Sequence, residues 1–404
     1  MSVKTGLDIL VAEQFQRLRG LRVGLVAHPA SVDGKLRHAA DWLQAAPGVT
    51  LAAVFGPEHG WLGHAQDLEA VAEQSEKREG GKAETGKQRM PRVISLYGET
   101  VDSLRPTAEQ LAGLDVLVID LQDIGSRYYT FQATMLYCLE AAQAIGLRVM
   151  VLDRPNPIGG LAVEGPALRA GFESFVGPHN IATRHGLTLG ELARFYVAVK
   201  GLDPAQVEIV ACAGWRREMY FEATSLPWVL PSPNMPTVDT AVVYPGQCLL
   251  EGTNLSEGRG TTRPFELFGA PWLDAAGLAQ KLNAEALPGV VFRPAGFKPT
   301  FQKHAGRECG GVQLHVTRRD LFQPVRTSLM LLAILRKLSG EYFRWRTETY
   351  EFVDNPIAID LLCGSRRERE ALEAGHNWRA IADGWWIEEL AWRESAKPFL
   401  LYPD

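Results

Sequence analysis

The chain has 404 residues, of which 46% are hydrophobic and 22% charged. These are proportions of a globular protein with a real core, at a length that suits two domains or one large domain with an appendage. Its 42 basic and 47 acidic residues leave a formal net charge of −5, so no basic face invites nucleic acid. Five cysteines (Cys138, Cys212, Cys248, Cys309, Cys363) are odd in number and never spaced CxxC. That argues against a disulfide scaffold or structural zinc and for small buried side chains in a reducing compartment.

The N-terminus, Met1 to Asp8, has no apolar core of signal-peptide type, and the most apolar helical run, near Leu329–Leu335, is too short to span a membrane. The chain as it stands therefore reads as cytoplasmic; with a leader removed it would read as periplasmic or secreted.

Along the first half, apolar runs alternate with helical patterns. Leu21–Ala27, Val49–Phe55, Val93–Leu96, Val116–Asp120 and Arg148–Leu152 read as strands rich in Val, Leu and Ile without strict alternation, as in a parallel sheet covered on both faces. Helices are expected at Lys35–Ala46, Thr134–Ile145 and Thr188–Lys200, with a further strand at Val207–Ala211. The pattern predicts a Rossmann-like, doubly wound α/β domain over residues 1–235. The charged stretch Glu73–Arg89 reads as a solvated excursion, or as a lid, since it leaves after Glu58 and returns before Tyr97. Four prolines in Leu226–Thr237 mark an extended crossing segment. A smaller α+β domain is expected over 236–404, with helices at Ala275–Ala286, Pro324–Leu338 and Trp378–Ala391 and strands at Val290–Arg293 and Gly311–Thr317. Trp385 and Trp386 read as packing.

Each early strand runs into a loop of unusual chemistry: His28-Pro29, then Gly56-Pro57-Glu58-His59, Tyr97-Gly98, Asp120 to Arg127, and Asp153 to Pro157. In an open parallel sheet the carboxyl ends of the strands share one edge, where ligands bind. These loops are therefore expected to converge on a site. Glu58 sits between glycines, with Pro57 stiffening the approach. A partly desolvated carboxyl there has the raised pKa that a general acid needs. The same loop also fits a turn whose Glu caps a following helix.

His28, His59, His64 and Asp120 invite a metal reading, yet Glu58-His59-x4-His64 is not the HExxH spacing and no third ligand is clustered, so neither metal nor cofactor is expected. The first βα turn is glycine-free, and no phosphate loop or nucleophile elbow appears, which argues against NAD and nucleotides. Leu250–Glu266 packs carboxylates and arginines among small residues, as a surface loop does or as a loop reaching over the sheet edge with Arg259 or Arg263 forking an anion.

Eight stretches run in the order of one known family: FGPEHG (55–60), SLYG (95–98), DLQDIGSRYYTF (120–131), DRPNPIGG (153–160), EGP (164–166), RHGLTLGELA (184–193), PSPNMPT (231–237) and YPGQCLLEGTNLSEGRGTTRPFELFGAPW (244–272). In these the sequence resembles the NamZ-type exo-β-N-acetylmuramidases, a glycoside hydrolase family formerly described as a domain of unknown function. The resemblance implies release of N-acetylmuramic acid from the non-reducing end of peptidoglycan fragments, in a cleft between two domains. It places the catalytic glutamate at Glu58.

For the partner of Glu58, Asp120, Glu164 and Glu257 are the candidates, as a water-activating base or as the group that orients the sugar's own acetamide. Substrate contacts are expected from His28, His59, Tyr97, Arg127, Tyr128, Asn234, Glu251, Asn254, Arg259 and Arg263. Arg127, Arg259 and Arg263 are the candidates for the lactyl carboxylate. Two departures from the family pattern, Ala27-His28-Pro29 and the charge of 73–89, touch the rim and bear on substrate preference. The rival expectations are a metal-dependent hydrolase or a non-catalytic muropeptide-binding protein using the same edge.

Overall fold

The computed structural model describes residues 2–66, 68–71 and 91–403; the stretch Glu73–Arg89 lies outside the described residues. Six strands form one sheet: β1 (Arg22–Ala27), β2 (Thr50–Gly56), β3 (Arg92–Ser95), β4 (Val116–Asp120), β5 (Arg148–Leu152) and β6 (Val207–Val210). Their order is β3-β2-β1-β4-β5-β6, and every neighbouring pair is parallel. This is the doubly wound Rossmann-like arrangement, with the order of connection reversing between β1 and β4.

The lack of alternation in the strands has a direct cause. Val26, Phe55, Leu117, Ile119, Val149 and Val151 belong to one buried cluster, while Val23, Leu25, Val54, Val116, Val118 and Met150 belong to another. Successive side chains point to opposite faces, so both faces need apolar residues. Helix Ala39–Ala45 contributes to the second cluster, and helices Phe131–Ala144 and Leu189–Val199 to the first.

A second, antiparallel sheet of order β7-β9-β8 follows, from β7 (Leu267–Ala270), β8 (Val290–Phe297) and β9 (Cys309–Val316). Its Phe268, Phe292, Val312 and Leu314, with Leu329 to Leu335 of helix Pro324–Ser339, join the first cluster of the large sheet. The smaller α+β part thus shares one continuous core with the Rossmann-like part.

Five local readings change. Asp33 accepts from the Lys35 and Arg37 amides, which holds a turn there and delays the next helix to Ala39. The strand β7 has only four residues inside a glycine-rich block. An additional helix, Val238–Gln247, follows the proline-rich segment. The single helix expected over Trp378–Ala391 is two, Trp378–Asp383 and Trp386–Ala396, separated at Gly384. Trp385 is buried there, but Trp386 is exposed, against the expectation that both pack inward. All five cysteines are free and buried. Among the described residues no helix is long and apolar enough to cross a membrane.

Candidate active site

The site begins at the carboxyl end of β2. At Gly56 a Cβ would lie 2.5 Å from the Trp61 amide nitrogen, so the chain can double back over its own strand end only because that position is glycine. Gly60 donates to the Pro57 carbonyl at 2.8 Å, and His59 takes φ 69°. Glu58 therefore stands in a tight turn. No helix follows it among the described residues before β3, so it caps none.

Glu58 is only 5% exposed, and the Thr130 hydroxyl donates to its Oε2 at 2.5 Å. Thr130 is the N-cap residue of helix Phe131–Ala144 but makes no side-chain capping bond to it, which leaves the hydroxyl for Glu58. His59 Nε2 lies 3.9 Å from Glu58 Oε1. The other ring nitrogen, Nδ1, is 2.9 Å from the Ala65 carbonyl. A carbonyl only accepts, so Nδ1 carries a proton and Nε2 is the ring nitrogen turned toward Glu58.

Around this carboxyl is a narrow cleft open to solvent. From the Rossmann-like part it is lined by Glu58, His59 and Tyr128 to Phe131. The crossing segment adds Ser232, Asn234 and Met235. From further along the chain come Tyr244, Glu251, Arg259, Phe265, Tyr350 and Glu351. The loops after β2 and β4 thus meet over the end of β1, their common neighbour.

Six of the residues expected from the sequence line this cleft: Glu58, His59, Tyr128, Asn234, Glu251 and Arg259. Asn234 donates to Gln66 Oε1 at 2.8 Å. Glu251 accepts from Arg259 at 2.5 Å and from the Tyr350 hydroxyl at 2.8 Å. Tyr97 is one step behind, its hydroxyl donating to Glu351 at 2.9 Å. Glu257 lies beneath Arg259, 3.3 Å from its Nε and 2.9 Å from Lys303 Nζ. That ammonium also donates to the Leu250 and Leu255 carbonyls, which holds the loop in shape.

The remaining expected residues serve elsewhere. Asp120 is fully buried in a bidentate pair with Arg154, at 2.6 and 2.9 Å, and is not in the lining of the Glu58 cleft. Glu164 is paired with Arg184 at 3.2 Å and accepts from the Val325 amide at 3.1 Å; burial raises its carboxyl to about 7. Arg127 spends its guanidinium on the carbonyls of Pro166, Ile181 and Leu362, so it forks backbone rather than an anion. Asn254 ties the Tyr342 carbonyl to the Arg344 amide. Arg263, with a side chain 45% exposed, pairs with Glu266 at 3.3 Å away from the lining.

His28 is buried, with Nδ1 3.1 Å from the Pro231 carbonyl and Nε2 accepting from the Gln122 amide at 2.9 Å. Its ring meets Phe131, a cleft residue, edge-on at 4.7 Å, so it supports the cleft from below. Burial pushes its pKa down to about 3. His64 is exposed. Among the described residues no three His, Cys, Asp or Glu side chains are grouped so as to hold a metal ion.

Thr130, Ser232, Tyr350 and Glu351 line the cleft without having been singled out from the sequence. Thr130 and Ser232 fall inside quoted motifs and were within reach. Tyr350-Glu351 belongs to no motif and carries no such signal.

A model described as the N-terminal part of exo-β-N-acetylmuramidase NamZ matches residues 23–239, and its C-terminal counterpart matches residues 242–402. The chain belongs to the NamZ exo-β-N-acetylmuramidase family. With the family comes the enzyme class, glycoside hydrolase. It is 42% identical over 400 residues to the peptidoglycan β-N-acetylmuramidase NamZ of Bacillus subtilis (strain 168), covering 99% of this chain and 91% of that protein. Its fold is also that of two crystal structures of DUF1343-family proteins from Bacteroides fragilis NCTC 9343. One is 34% identical with a TM-score of 0.86 over 99% of each chain; the other is 26% identical with a TM-score of 0.75 over the whole of both.

Proposed function

We propose that this NamZ-family chain is an exo-acting glycoside hydrolase that releases N-acetylmuramic acid from the non-reducing end of peptidoglycan fragments, with Glu58 as general acid. The observation that carries the reading is the place of Glu58: a nearly buried carboxyl in a polar cleft, held by the Thr130 hydroxyl and faced by His59. A general acid must be within hydrogen-bond reach of the leaving oxygen and fixed in direction. Arg259 is the guanidinium in the cleft lining, which makes it the cation for the lactyl carboxylate that distinguishes muramic acid from glucosamine.

The test is hydrolysis of a chromogenic β-N-acetylmuramide by wild type and by Glu58→Gln. Turnover is expected to fall by about two orders of magnitude or more, the scale of acid–base contributions. Full activity in the Gln variant would remove Glu58 from the role. Equal rates on the glucosaminide would remove the muramic acid specificity.

A further inference from the structure

Among the described residues, four other α-helices begin behind a threonine, at Thr5, Thr107, Thr188 and Thr237, and they share one arrangement. Each of these threonines has an extended backbone, and its hydroxyl accepts the amide N–H three residues on. That bond satisfies one of the amides a helix start leaves open, which is why threonine is favoured there. Thr130, at the head of helix Phe131–Ala144, departs from the pattern. Its backbone is right-handed helical, φ −66° and ψ −14°, and its hydroxyl caps nothing. The one hydrogen bond that this hydroxyl makes among the described residues goes to Glu58 Oε2 at 2.5 Å.

Thr130 stands on a fixed base. Its carbonyl accepts the Thr134 amide at 2.9 Å, at the start of a 14-residue helix. Its neighbours Tyr129 and Phe131 pack edge-on with 5.0 Å between ring centroids, and His28 meets Phe131 edge-on at 4.7 Å. A β-branched side chain is itself stiff. Glu58, by contrast, brings a long unbranched side chain from a loop, so Thr130 is the partner that holds and Glu58 the one that is held. The two carboxyl oxygens then differ. Oε2 accepts the Thr130 hydroxyl, while Oε1 makes no hydrogen bond among the described residues and lies 3.9 Å from His59 Nε2. An oxygen already accepting a hydrogen bond is the carbonyl-like one of a protonated carboxyl, so the acid proton belongs on the other.

Resting on the muramidase reading above, we infer that Thr130 is a positioning residue of the reaction, whose hydroxyl holds Oε2 of Glu58 and so keeps the acid proton on Oε1, aimed at the glycosidic oxygen. As the C1–O bond breaks, its electron pair passes to the leaving oxygen, which takes the proton from Oε1 and departs as an alcohol. Water supplies the oxygen that ends on C1 and returns a proton to Glu58. The charge left on Glu58 after proton transfer strengthens the bond from Thr130, because a hydrogen bond to an ionised acceptor is the stronger kind. The gain therefore falls in the transition state rather than in substrate binding.

The experiment compares wild type, Thr130→Val, Thr130→Ala, Thr130→Ser and Glu58→Gln on two aryl β-N-acetylmuramides, one with a poor and one with a good leaving group. Valine keeps the branched shape and there is no capping bond to lose, so Thr130→Val is expected to melt close to wild type. Its kcat is expected to fall about 10- to 100-fold on the poor leaving group, the scale of one hydrogen bond to a charged group, with KM within a few-fold. Thr130→Ala removes the hydroxyl by a second route and is expected to lose as much. The deficit should shrink on the good leaving group, which needs less protonation, and Thr130→Ser should recover most of the rate. On the Glu58→Gln background, Thr130→Val is expected to change turnover by less than about twofold, since the two residues act as one unit. Wild-type kcat without the hydroxyl, a deficit equal on both leaving groups, or one that persists on the Glu58→Gln background overturns the inference while leaving the Glu58 result standing. A fully active Glu58→Gln enzyme overturns both.

Discussion

Two sets of buried carboxylates lie within the Rossmann-like part, and they behave oppositely. Behind the strand ends runs an ionic belt: Asp120 with Arg154, Glu164 with Arg184, and Glu191 with Arg217. At the cleft, Glu58 meets a hydroxyl and an imidazole instead. Burial does not separate the two sets, since Glu58 and Glu164 are 5% and 4% exposed. What separates them is whether the oxygens already hold a fixed cation. A carboxylate whose charge is matched by a buried guanidinium maintains shape; one met by a hydroxyl and an imidazole at an open cleft keeps capacity for a ligand or a proton.

The contrast breaks most visibly if Glu58→Gln keeps its activity; the expectation is a loss of two orders of magnitude in turnover with little change in melting temperature. The belt should show the reverse. Asp120→Ala strands the buried Arg154 guanidinium, which costs about 3–5 kcal/mol when one partner of a buried pair is removed. Thermal denaturation should fall by many degrees while the folded fraction still turns over substrate. A catalytic defect without a stability defect would put Asp120 back in the chemistry.

A smaller effect concerns acid. Both nitrogens of His28 are committed in the neutral ring, Nδ1–H to Pro231 and Nε2 to the Gln122 amide, so a second proton would set N–H against N–H. Its folded pKa of about 3 lies below the ordinary 6.5. The unfolded chain therefore binds the proton first, and stability is lost as pH falls from about 6.5 toward 3. Asp153 and Glu164, raised by burial to about 6 and about 7, act with the other sign and cost stability as pH rises. The informative quantity is thus a difference: His28→Gln should lose less melting temperature than wild type between pH 7 and pH 5. An identical slope would refute the assignment. Smallest of all, Arg263→Ala removes a half-exposed pair of little worth. It should leave kcat and KM within about twofold and stability within about 0.5 kcal/mol, and a raised KM would bring Arg263 back to the cleft.

The large sheet was legible in sequence because both its faces are buried, so each strand is an uninterrupted apolar run, as in Val116-Leu117-Val118-Ile119. Glu58 was legible from its place at the end of such a run. Strand β7 was not, since Leu267-Phe268-Gly269-Ala270 is short and set among glycines. Asp120, Glu164 and Arg127 looked like site residues because sequence displays charge but not its partner: Arg154 and Arg184 stand 34 and 20 positions away. Tyr350-Glu351 was invisible for a different reason. It belongs to no motif, and its neighbour Tyr97 is 254 positions earlier.

That separation has a consequence for the newborn protein. The cleft wall takes Glu58 from the loop after β2 and Glu351 from 293 positions further along the chain. Contacts so distant in sequence form late, after the domains that synthesis delivers first. A ribosome that has finished the six-stranded sheet has thus not yet made a complete cleft. The cleft is therefore complete only once the segment around Glu351 has been made and has folded back onto the loop of Glu58.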